Sequence, residues 1–237
     1  MLDEVNIMIN DKTRVISFDK IDDNDFLDAK SKEMIKAFLK IEKNYRYALN
    51  KMITKIENMD DYCNMSYAHN PIHHTEARLK SPDSIIEKMK RRGYPLTIES
   101  LMENLYDVAG MRVICNYIND IYQIVHLISL QKDIKVRLKK DYIVNPKDTG
   151  YRSLHIVYEV NVTIFNEEIW VPVEIQFRTL AMDMWASIEH ELRYKSKDMV
   201  SESEKAYLKR YADSLYEIDL GMQRLYIGKT SGGNSDD

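Results

Sequence analysis

The chain has 237 residues, of which 44% are hydrophobic and 30% are charged, a composition typical of a globular protein in water. Its formal net charge of -4 argues against a general polyanion binder, because no basic field extends over the whole surface. Two cysteines argue against a disulfide framework or a cysteine-rich zinc site. The sequence shows neither a signal peptide nor an apolar segment of membrane-spanning length, so we expect a cytoplasmic protein without a membrane partner.

The N-terminal quarter of the sequence predicts an acidic segment followed by one long helix. Residues 1–28 are acidic and lack a clear period, so we expect them to be irregular. Over 29–59, apolar residues recur at three- and four-residue spacing and predict an amphipathic helix. Asp28 or Ser31 would cap its start. Residues 60–75 show no period, and we expect a connecting loop there.

Helix start and stop residues delimit the next elements. We expect a short strand over 76–80. Ser81 is a suitable N-cap, Pro82 suits the first helical position, and Gly93 ends the helix between them. A second short helix is predicted within 96–105.

The remaining sequence alternates between strand and helix patterns. We predict strands over 107–117, 134–141, 154–165 and 170–177, and helices over 118–131, 180–196 and 202–226. The last two strands would be joined by an antiparallel turn at Asn166–Glu167. This order predicts an α+β fold in which a mixed β-sheet is flanked by an N-terminal helix and two C-terminal helices. One domain would span 29–228, followed by a flexible tail over 229–237.

A cluster of cations surrounds the capped helix that begins after Ser81. Its members are Arg78, Lys80, Lys88, Arg91 and Arg92. A helix N-terminus with converging cations is suited to binding phosphates. The alternative is a basic helix that faces solvent.

Two acids and one arginine interrupt segments that otherwise suit burial. Arg112 lies opposite Met111 and Val113 in its strand, and it requires either a salt bridge to a core carboxylate or a ligand. Glu174 lies in an apolar strand, where the alternative is an ordinary solvated sheet face. If Asp107 and Glu174 lie on neighbouring strands, their carboxylates would together bind Mg²⁺. The alternative for Asp107 is a turn residue between a helix and a strand.

The loop over 146–155 combines cations with rings. It contains Lys147, Tyr151, Arg152 and His155. Tyr151, next to a glycine, would present its ring to a purine base, and Lys147 would face a phosphate. The alternative is a hairpin tip with a surface tyrosine.

Four segments together resemble the synthetase domain of RelA/SpoT-type alarmone synthetases, and the chain length resembles that of the small alarmone synthetases. These segments are RLKSPDSIIEKMKRRG at 78–93, DVAGMRV at 107–113, KDYIVNPKDTGYRSLH at 140–155 and VEIQFRTLAMDMWASIEHELRYK at 173–195. The resemblance covers about residues 30–220. It implies a synthetase sheet of the nucleotidyltransferase-like type, and Mg²⁺-dependent transfer of the β,γ-pyrophosphate of ATP to the 3′-hydroxyl of GDP or GTP.

The resemblance also implies a role for individual residues. Asp107 and Glu174 would be the catalytic Mg²⁺ ligands, with Glu174 also helping to deprotonate the 3′-hydroxyl. The residues implied to bind ATP are Arg78, Lys80, Lys88 and Arg112. Those implied to bind the guanine nucleotide are Tyr151, through stacking, and Lys147, His155 and Gln176.

The same resemblance implies an assembly and a range of activities. We expect a homotetramer, and allosteric binding of (p)ppGpp or RNA is a further implication to which no residues are assigned. The family's long members have an Arg-x-Lys-Asp run where this chain has Leu138–Asp141, so the choice between GDP and GTP stays open. No His-Asp pair occurs in the sequence, so hydrolysis of the product is not expected. The alternatives are a nucleotidyltransferase and a catalytically degenerate module that binds nucleotides or RNA.

Overall fold

The computed structural model describes residues 13–16, 28–66, 69–195 and 201–231. Its helices are α1 (Ala29–Ser66), α2 (Pro82–Arg92), α3 (Ile98–Asn104), α4 (Ile118–Ser129), α5 (Leu180–Lys195) and α6 (Glu202–Ser231). Its strands are β1 (Thr13–Ile16), β2 (Ile72–Leu79), β3 (Ala109–Cys115), β4 (Ile134–Asp141), β5 (Leu154–Ile164) and β6 (Glu167–Thr179). None of the helices in these ranges is both long enough and apolar enough to cross a membrane.

Helix α1 begins where the sequence predicts but ends later. Asp28 caps α1, because its Oδ1 accepts the backbone N–H of Ser31 at 2.8 Å. The loop predicted over 60–75 is wrong for 60–66 and 72–75, since α1 continues to Ser66 and β2 begins at Ile72, and it is right for 69–71. The extra turns bury Asp60 and Cys63, which lack a regular apolar period, so periodicity alone missed them.

The acidic N-terminal segment and the tail fall largely outside the described residues. β1 lies within the segment that was predicted to be irregular, and it pairs in parallel with β2. At the other end, α6 extends through Ser231, so the predicted tail begins inside a helix. Residues 1–12, 17–27 and 232–237 are not described.

Local signals located α2 and α3 correctly. The Ser81 side chain accepts the backbone N–H of Ser84 at 3.3 Å, and Pro82 occupies the first helical turn. Gly93 ends α2 in the left-handed region with a φ of 69°. The Thr97 hydroxyl caps α3 by accepting the backbone N–H of Ser100 at 3.2 Å.

One mixed sheet contains all six strands in the order β1-β2-β3-β6-β5-β4. β3 and β6 are parallel at its centre, whereas β2–β3, β6–β5 and β5–β4 are antiparallel pairs. The β5–β6 turn is Phe165–Asn166, one residue earlier than predicted, and Phe165 has a φ of 55°. The α+β fold with a mixed sheet is therefore confirmed.

The main core lies on one face of this sheet. Every second residue of β5 and β6 points into it, and α1 packs across β2, β3, β5 and β6. Val173, Ile175 and Phe177 are completely buried there. The residues between them point to the opposite, polar face, and this second face holds the candidate site.

Helix α6 contacts the loop before β5 through a glycine. Gly150 has a φ of 88°, and a Cβ atom at this position would lie 2.6 Å from the Cβ of Ala212 and 3.2 Å from the Cα of Lys209. The loop therefore approaches the helix backbone more closely than any other residue type would allow.

We predict that Gly150→Ala lowers the free energy of unfolding by about 2–4 kcal/mol, because it adds both left-handed strain and a clash with α6. Urea denaturation measures this change. Gly221→Ala is the matched control, since a Cβ there meets nothing within 4 Å. Because Gly221 lies in the interior of α6, alanine there should raise the free energy of unfolding by about 0.5–1 kcal/mol. Equal stability of the two variants would contradict the assigned contact.

Candidate active site

The strand register places one row of polar side chains across the polar face. Residues that pair on adjacent strands point to the same side of a sheet. The row therefore crosses β2, β3, β6, β5 and β4 in turn, through Glu76, Arg112, Gln176, His155 and Lys140. This arrangement brings together side chains that are far apart in the sequence.

A second row, two residues away along each strand, forms a cleft. Arg78, Gly110 and Glu174 are register partners on β2, β3 and β6. Because Gly110 has no side chain, the surface beside Glu174 is open. The cleft has a volume of about 110 Å³ and is lined by Glu76, Ala77, Arg78, Asp107, Gly110, Met111, Arg112, Glu174 and Gln176.

Asp107 lies at one end of this cleft, in the connection between α3 and β3. Its Oδ2 accepts hydrogen bonds from the ammonium groups of Lys80 and Lys88, the latter at 2.6 Å. Burial favours the neutral carboxyl, but the two lysines outweigh it and lower the pKa of Asp107. Burial also lowers the pKa of Lys80, against the attraction of Asp107. Asp107 is therefore an ionised carboxylate at neutral pH.

Arg112 forms the salt bridge that the sequence left as an alternative to ligand binding. Its Nη1 donates to Oε2 of Glu76 at 2.9 Å, and the two side chains are 35% and 32% exposed. Both side chains line the cleft, so the pair is accessible rather than part of the core. The salt bridge and ligand binding are therefore compatible.

Glu174 faces the cleft from β6 and has a partner on each oxygen. Gln176 donates its Nε2 to Oε2 at 3.2 Å, and His155 Nδ1 lies 3.7 Å from Oε1. Burial and the Asp107 charge favour the neutral form, but His155 and Gln176 together lower the pKa of Glu174. Two ionised carboxylates therefore line the same cleft.

Tyr151 and Lys147 lie beside this cleft, in the loop before β5. The Tyr151 ring is half-buried, with the rings of Tyr142 and Trp185 centred 6.0 and 6.5 Å away. Lys147 Nζ lies 4.7 Å from the centre of the Tyr151 ring and 4.8 Å from that of Tyr142. The loop therefore combines aromatic surface with a cation, as predicted.

The structure separates the predicted cation cluster into two groups. Lys80 and Lys88 converge on Asp107, and Arg78 lines the same cleft. Arg91 and Arg92 are exposed in the last turn of α2, where cations favour the negative end of the helix dipole. For those two residues the solvated alternative was the right interpretation.

Three residues of this region were missed by the sequence analysis. Gly110 and Glu76 line the cleft, and Arg178 is buried beside Tyr151. Alternation along VPVEIQFR puts Arg178 on the same strand face as Glu174, so its position could have been read from the sequence. The importance of Gly110 depends on its neighbours across the sheet, which no local pattern contains.

The donor set in the cleft fits a magnesium ion. Asp107 Oδ1 is buried and finds no hydrogen-bond partner among the described residues. Within those residues no group of three or more His, Cys, Asp or Glu side chains is arranged to hold a metal. Mg²⁺ binds one or two carboxylates and completes its coordination shell with waters and substrate phosphates. The carboxylates of Asp107 and Glu174, with Oδ1 of Asp107 unpaired, suit such an ion.

A larger cavity of about 520 Å³ lies elsewhere, between α1, α4 and α6. It is lined in part by His69, Tyr117, Asp120 and Tyr226, and includes none of the predicted site residues. The larger volume of this cavity therefore does not mark the region that combines cations, carboxylates and rings.

Comparisons with known proteins match the segments that form the cleft. A family model described as a region found in RelA / SpoT proteins matches residues 77–199. The GTP pyrophosphokinase YwaC of Bacillus subtilis (strain 168) is 40% identical over 178 residues, which is 75% of this chain and 85% of the relative. The GTP pyrophosphokinase YjbM of the same organism is 34% identical over 181 residues, covering 76% and 84% of the two chains.

A solved structure has a similar fold. The small alarmone synthetase 1 from Bacillus subtilis, bound to its product pppGpp, aligns with a TM-score of 0.73 at 31% identity. The alignment covers 81% of this chain and 97% of that one. Similarity thus extends beyond the motifs to most of the fold.

We predict that Gly110→Leu blocks the cleft, because the new side chain would project between Arg78 and Glu174. The sequence resemblance implies that ATP binds through Arg78 and Arg112, so binding of a non-hydrolysable ATP analogue with Mg²⁺, measured by calorimetry, should weaken at least about tenfold. Gly110→Ala is the matched control, since its Cβ would lie 3.9 Å from the Arg78 carbonyl oxygen, an ordinary contact. Unchanged affinity in the leucine variant would place the binding site elsewhere.

Proposed function

Because the chain belongs to the RelA/SpoT family, we propose that it is a GTP pyrophosphokinase, a small alarmone synthetase of the cytoplasm. It transfers the β,γ-pyrophosphate of ATP to the 3′-hydroxyl of GDP or GTP and releases AMP. The product, (p)ppGpp, signals the stringent response. The observation that supports the proposal best is the single cleft in which the Asp107 carboxylate, its two lysines and the Glu174 carboxylate meet.

The ATP side of the site consists of Arg78, Lys80, Lys88 and Arg112. A triphosphate whose terminal phosphates are transferred requires dense positive charge around it. Arg112 is bound to Glu76, and the two lysines are bound to Asp107, so these charges are compensated before ATP arrives. Exchange of these carboxylates for phosphate oxygens leaves the cations paired in both states, which limits the cost of burying them.

Asp107 and Glu174 are the residues that would hold a Mg²⁺ ion. The free Oδ1 of Asp107 and the ionised Glu174 support this assignment. When bound, the ion neutralises charge that develops on the phosphate oxygens during transfer.

The guanine nucleotide binds on the side of Tyr151, Lys147, His155 and Gln176. Tyr151 offers a half-buried ring for stacking, and the neighbouring Lys147 cation faces the phosphates of the acceptor. His155 and Gln176 flank Glu174 and orient its carboxylate. In this proposal the acceptor ribose lies between the stacked base and Glu174.

Glu174 accepts the proton of the 3′-hydroxyl as that oxygen attacks the β-phosphorus of ATP. The bond between the α–β bridging oxygen and the β-phosphorus breaks, and AMP leaves. Proximity and alignment of the two nucleotides supply most of the acceleration, as in other phosphoryl transfers. The lowered pKa of Glu174 keeps it in the basic form that this step requires.

The synthetase domain, which we assign to 29–228, assembles as a homotetramer. An apolar stripe at four-residue spacing on α5 supports a partner copy of the chain. Its members are exposed by 44–50% of their surface: Leu180, Met184, Ile188 and Leu192. α6 adds exposed Ile218, Met222 and Leu225.

We predict that purified protein with Mg²⁺, ATP and GDP or GTP yields a 3′-pyrophosphorylated guanine nucleotide and AMP. Glu174→Gln and Asp107→Asn should each lower kcat by at least about 100-fold. The first variant loses the base and a metal ligand, and the second loses a metal ligand. Chromatography of the nucleotides measures both. Circular dichroism should show an intact fold in each variant.

Release of free pyrophosphate instead of AMP would contradict the proposal and indicate nucleotidyl transfer. The absence of any turnover with either acceptor would indicate a nucleotide-binding module. Full activity in both variants would overturn the assigned roles of the two carboxylates.

We predict that light scattering gives a mass four times that of the chain. The Met184→Glu variant should dissociate, because a charge on the stripe cannot be buried against a partner. Met102→Glu is the matched control. Met102 on α3 is also 48% exposed but lies off the stripe, so its variant should stay assembled. A monomeric wild type, or equal dissociation of both variants, would contradict the proposed surface.

A further inference from the structure

Four hydrogen bonds connect five polar side chains beneath the loop that contains Tyr151, and a longer contact of 3.7 Å between His155 and Glu174 completes the ring. Going around it, Glu174 accepts from Gln176, Gln176 accepts from Arg178, and Arg178 also donates to Tyr151. The Tyr151 hydroxyl lies 2.7 Å from His155 Nε2, and His155 Nδ1 faces Glu174 at 3.7 Å. Two separate arms thus connect Arg178 with the two oxygens of Glu174.

Arg178 is the buried member of this ring, with only 5% of its surface exposed. Its Nη2 donates to the Tyr151 hydroxyl and to Gln176 Oε1, both at 2.8 Å, and its Nη1 donates to Asp183 at 2.8 Å. A guanidinium has only donors and keeps its charge in proteins. Arg178 therefore fixes the direction of every hydrogen bond that it makes.

The first arm runs through Gln176. Because Arg178 can only donate, the amide of Gln176 has to present its oxygen to Arg178. Its NH₂ group then points at Oε2 of Glu174, as the 3.2 Å contact shows. Without Arg178, the amide could rotate by 180° and bring an oxygen against the carboxylate.

The second arm runs through Tyr151 and His155. The Tyr151 oxygen accepts from Arg178, so its own hydrogen is available for His155 Nε2. A neutral histidine that accepts at Nε2 holds its proton on Nδ1. This nitrogen faces Oε1 of Glu174. Both arms therefore present a donor to Glu174.

We propose that Arg178 is a positioning residue for pyrophosphate transfer: it directs Gln176 and His155 as donors toward Glu174 and couples Tyr151 to the same carboxylate. The inference rests on the proposed function, in which Glu174 acts on the acceptor hydroxyl and Tyr151 stacks on the guanine. Arg178 itself does not line the cleft.

Because Tyr151 is a member of the ring, the ring should influence the guanine nucleotide more than ATP. A base stacked on Tyr151 contacts a side chain whose hydroxyl belongs to the ring, so guanine binding and the orientation of Glu174 depend on one another. The cations of the ATP side, Lys80 and Lys88, pair with Asp107 instead and lie outside the ring. Loss of Arg178 should therefore affect the two substrates differently.

The first test is steady-state kinetics of Arg178→Met, which keeps much of the length of the side chain and removes its donors. We expect kcat to fall about 10–100-fold, the range seen when an orienting partner is removed. The KM for the guanine nucleotide should rise about two- to tenfold, whereas that for ATP should change by less than about twofold. Arg178→Lys should restore part of kcat, since it retains a charged donor.

Asp183→Asn is the matched control. It removes the counter-charge of Arg178 but leaves an oxygen that can accept from Nη1, so the ring stays intact. Its KM values should equal those of the wild type, even where its stability is lower. Urea denaturation of both variants separates loss of folded protein from loss of orientation.

The second test observes the ring without turnover. ¹⁵N NMR of the histidine rings at a pH of about 8.5, above the ordinary range of histidine, distinguishes the two neutral tautomers. We expect the Nδ1–H form for His155 in the wild type and in Asp183→Asn, and a mixture in Arg178→Met. His155→Gln identifies the signal among the six histidines of the chain.

Two outcomes would overturn the inference. One is a fall in kcat with both KM values unchanged and the His155 tautomer unchanged, which would make Arg178 a purely structural residue. The other is identical behaviour of Arg178→Met and Asp183→Asn. An inactive wild type would instead count against the proposed function, and the NMR result would still decide whether Arg178 directs the ring.

Discussion

The polar face of the sheet holds acids and bases side by side on a partly buried surface, where each charge requires an opposite charge or a donor. Asp107 meets Lys80 and Lys88, and Arg112 meets Glu76. Arg178 meets Asp183. These pairs allow a dense set of charges to exist in the protein before any substrate binds. In the proposed function, the ligands would exchange with these internal partners at little cost.

The central parallel pair of strands gives the site its shape. β3 and β6 run in the same direction, and their register sets Glu174 opposite Gly110 and Gln176 opposite Arg112. The missing side chain at Gly110 opens the cleft, while Asp107 enters it from just before β3. Flanking strands β2 and β5 then contribute Arg78 on one side and His155 on the other. Donor and acceptor nucleotides would thus approach the same carboxylate from opposite edges.

Much of the fold could be predicted because local rules decide it. Period-two alternation in the sequence matches the core faces of β5 and β6, and capping residues located α2 and α3. The predicted loop over 60–75 was wrong because tertiary packing buries Asp60 and Cys63 and extends α1 where the apolar period ends. The turn lies at Phe165–Asn166, one residue before its predicted position. Phenylalanine does not favour a left-handed φ, so the geometry of the hairpin imposes this φ on Phe165.

By itself, the sequence determined which residue types were available and which face of each strand they occupy, and its four motifs placed the chain in its family. It left open whether Arg112 was paired or bound a ligand, and it did not single out Gly110, Glu76 or Arg178. Only the tertiary structure decided these points. Register between strands and the distance between side chains depend on how separate segments meet, and a local pattern holds no information about a neighbour that is distant along the chain.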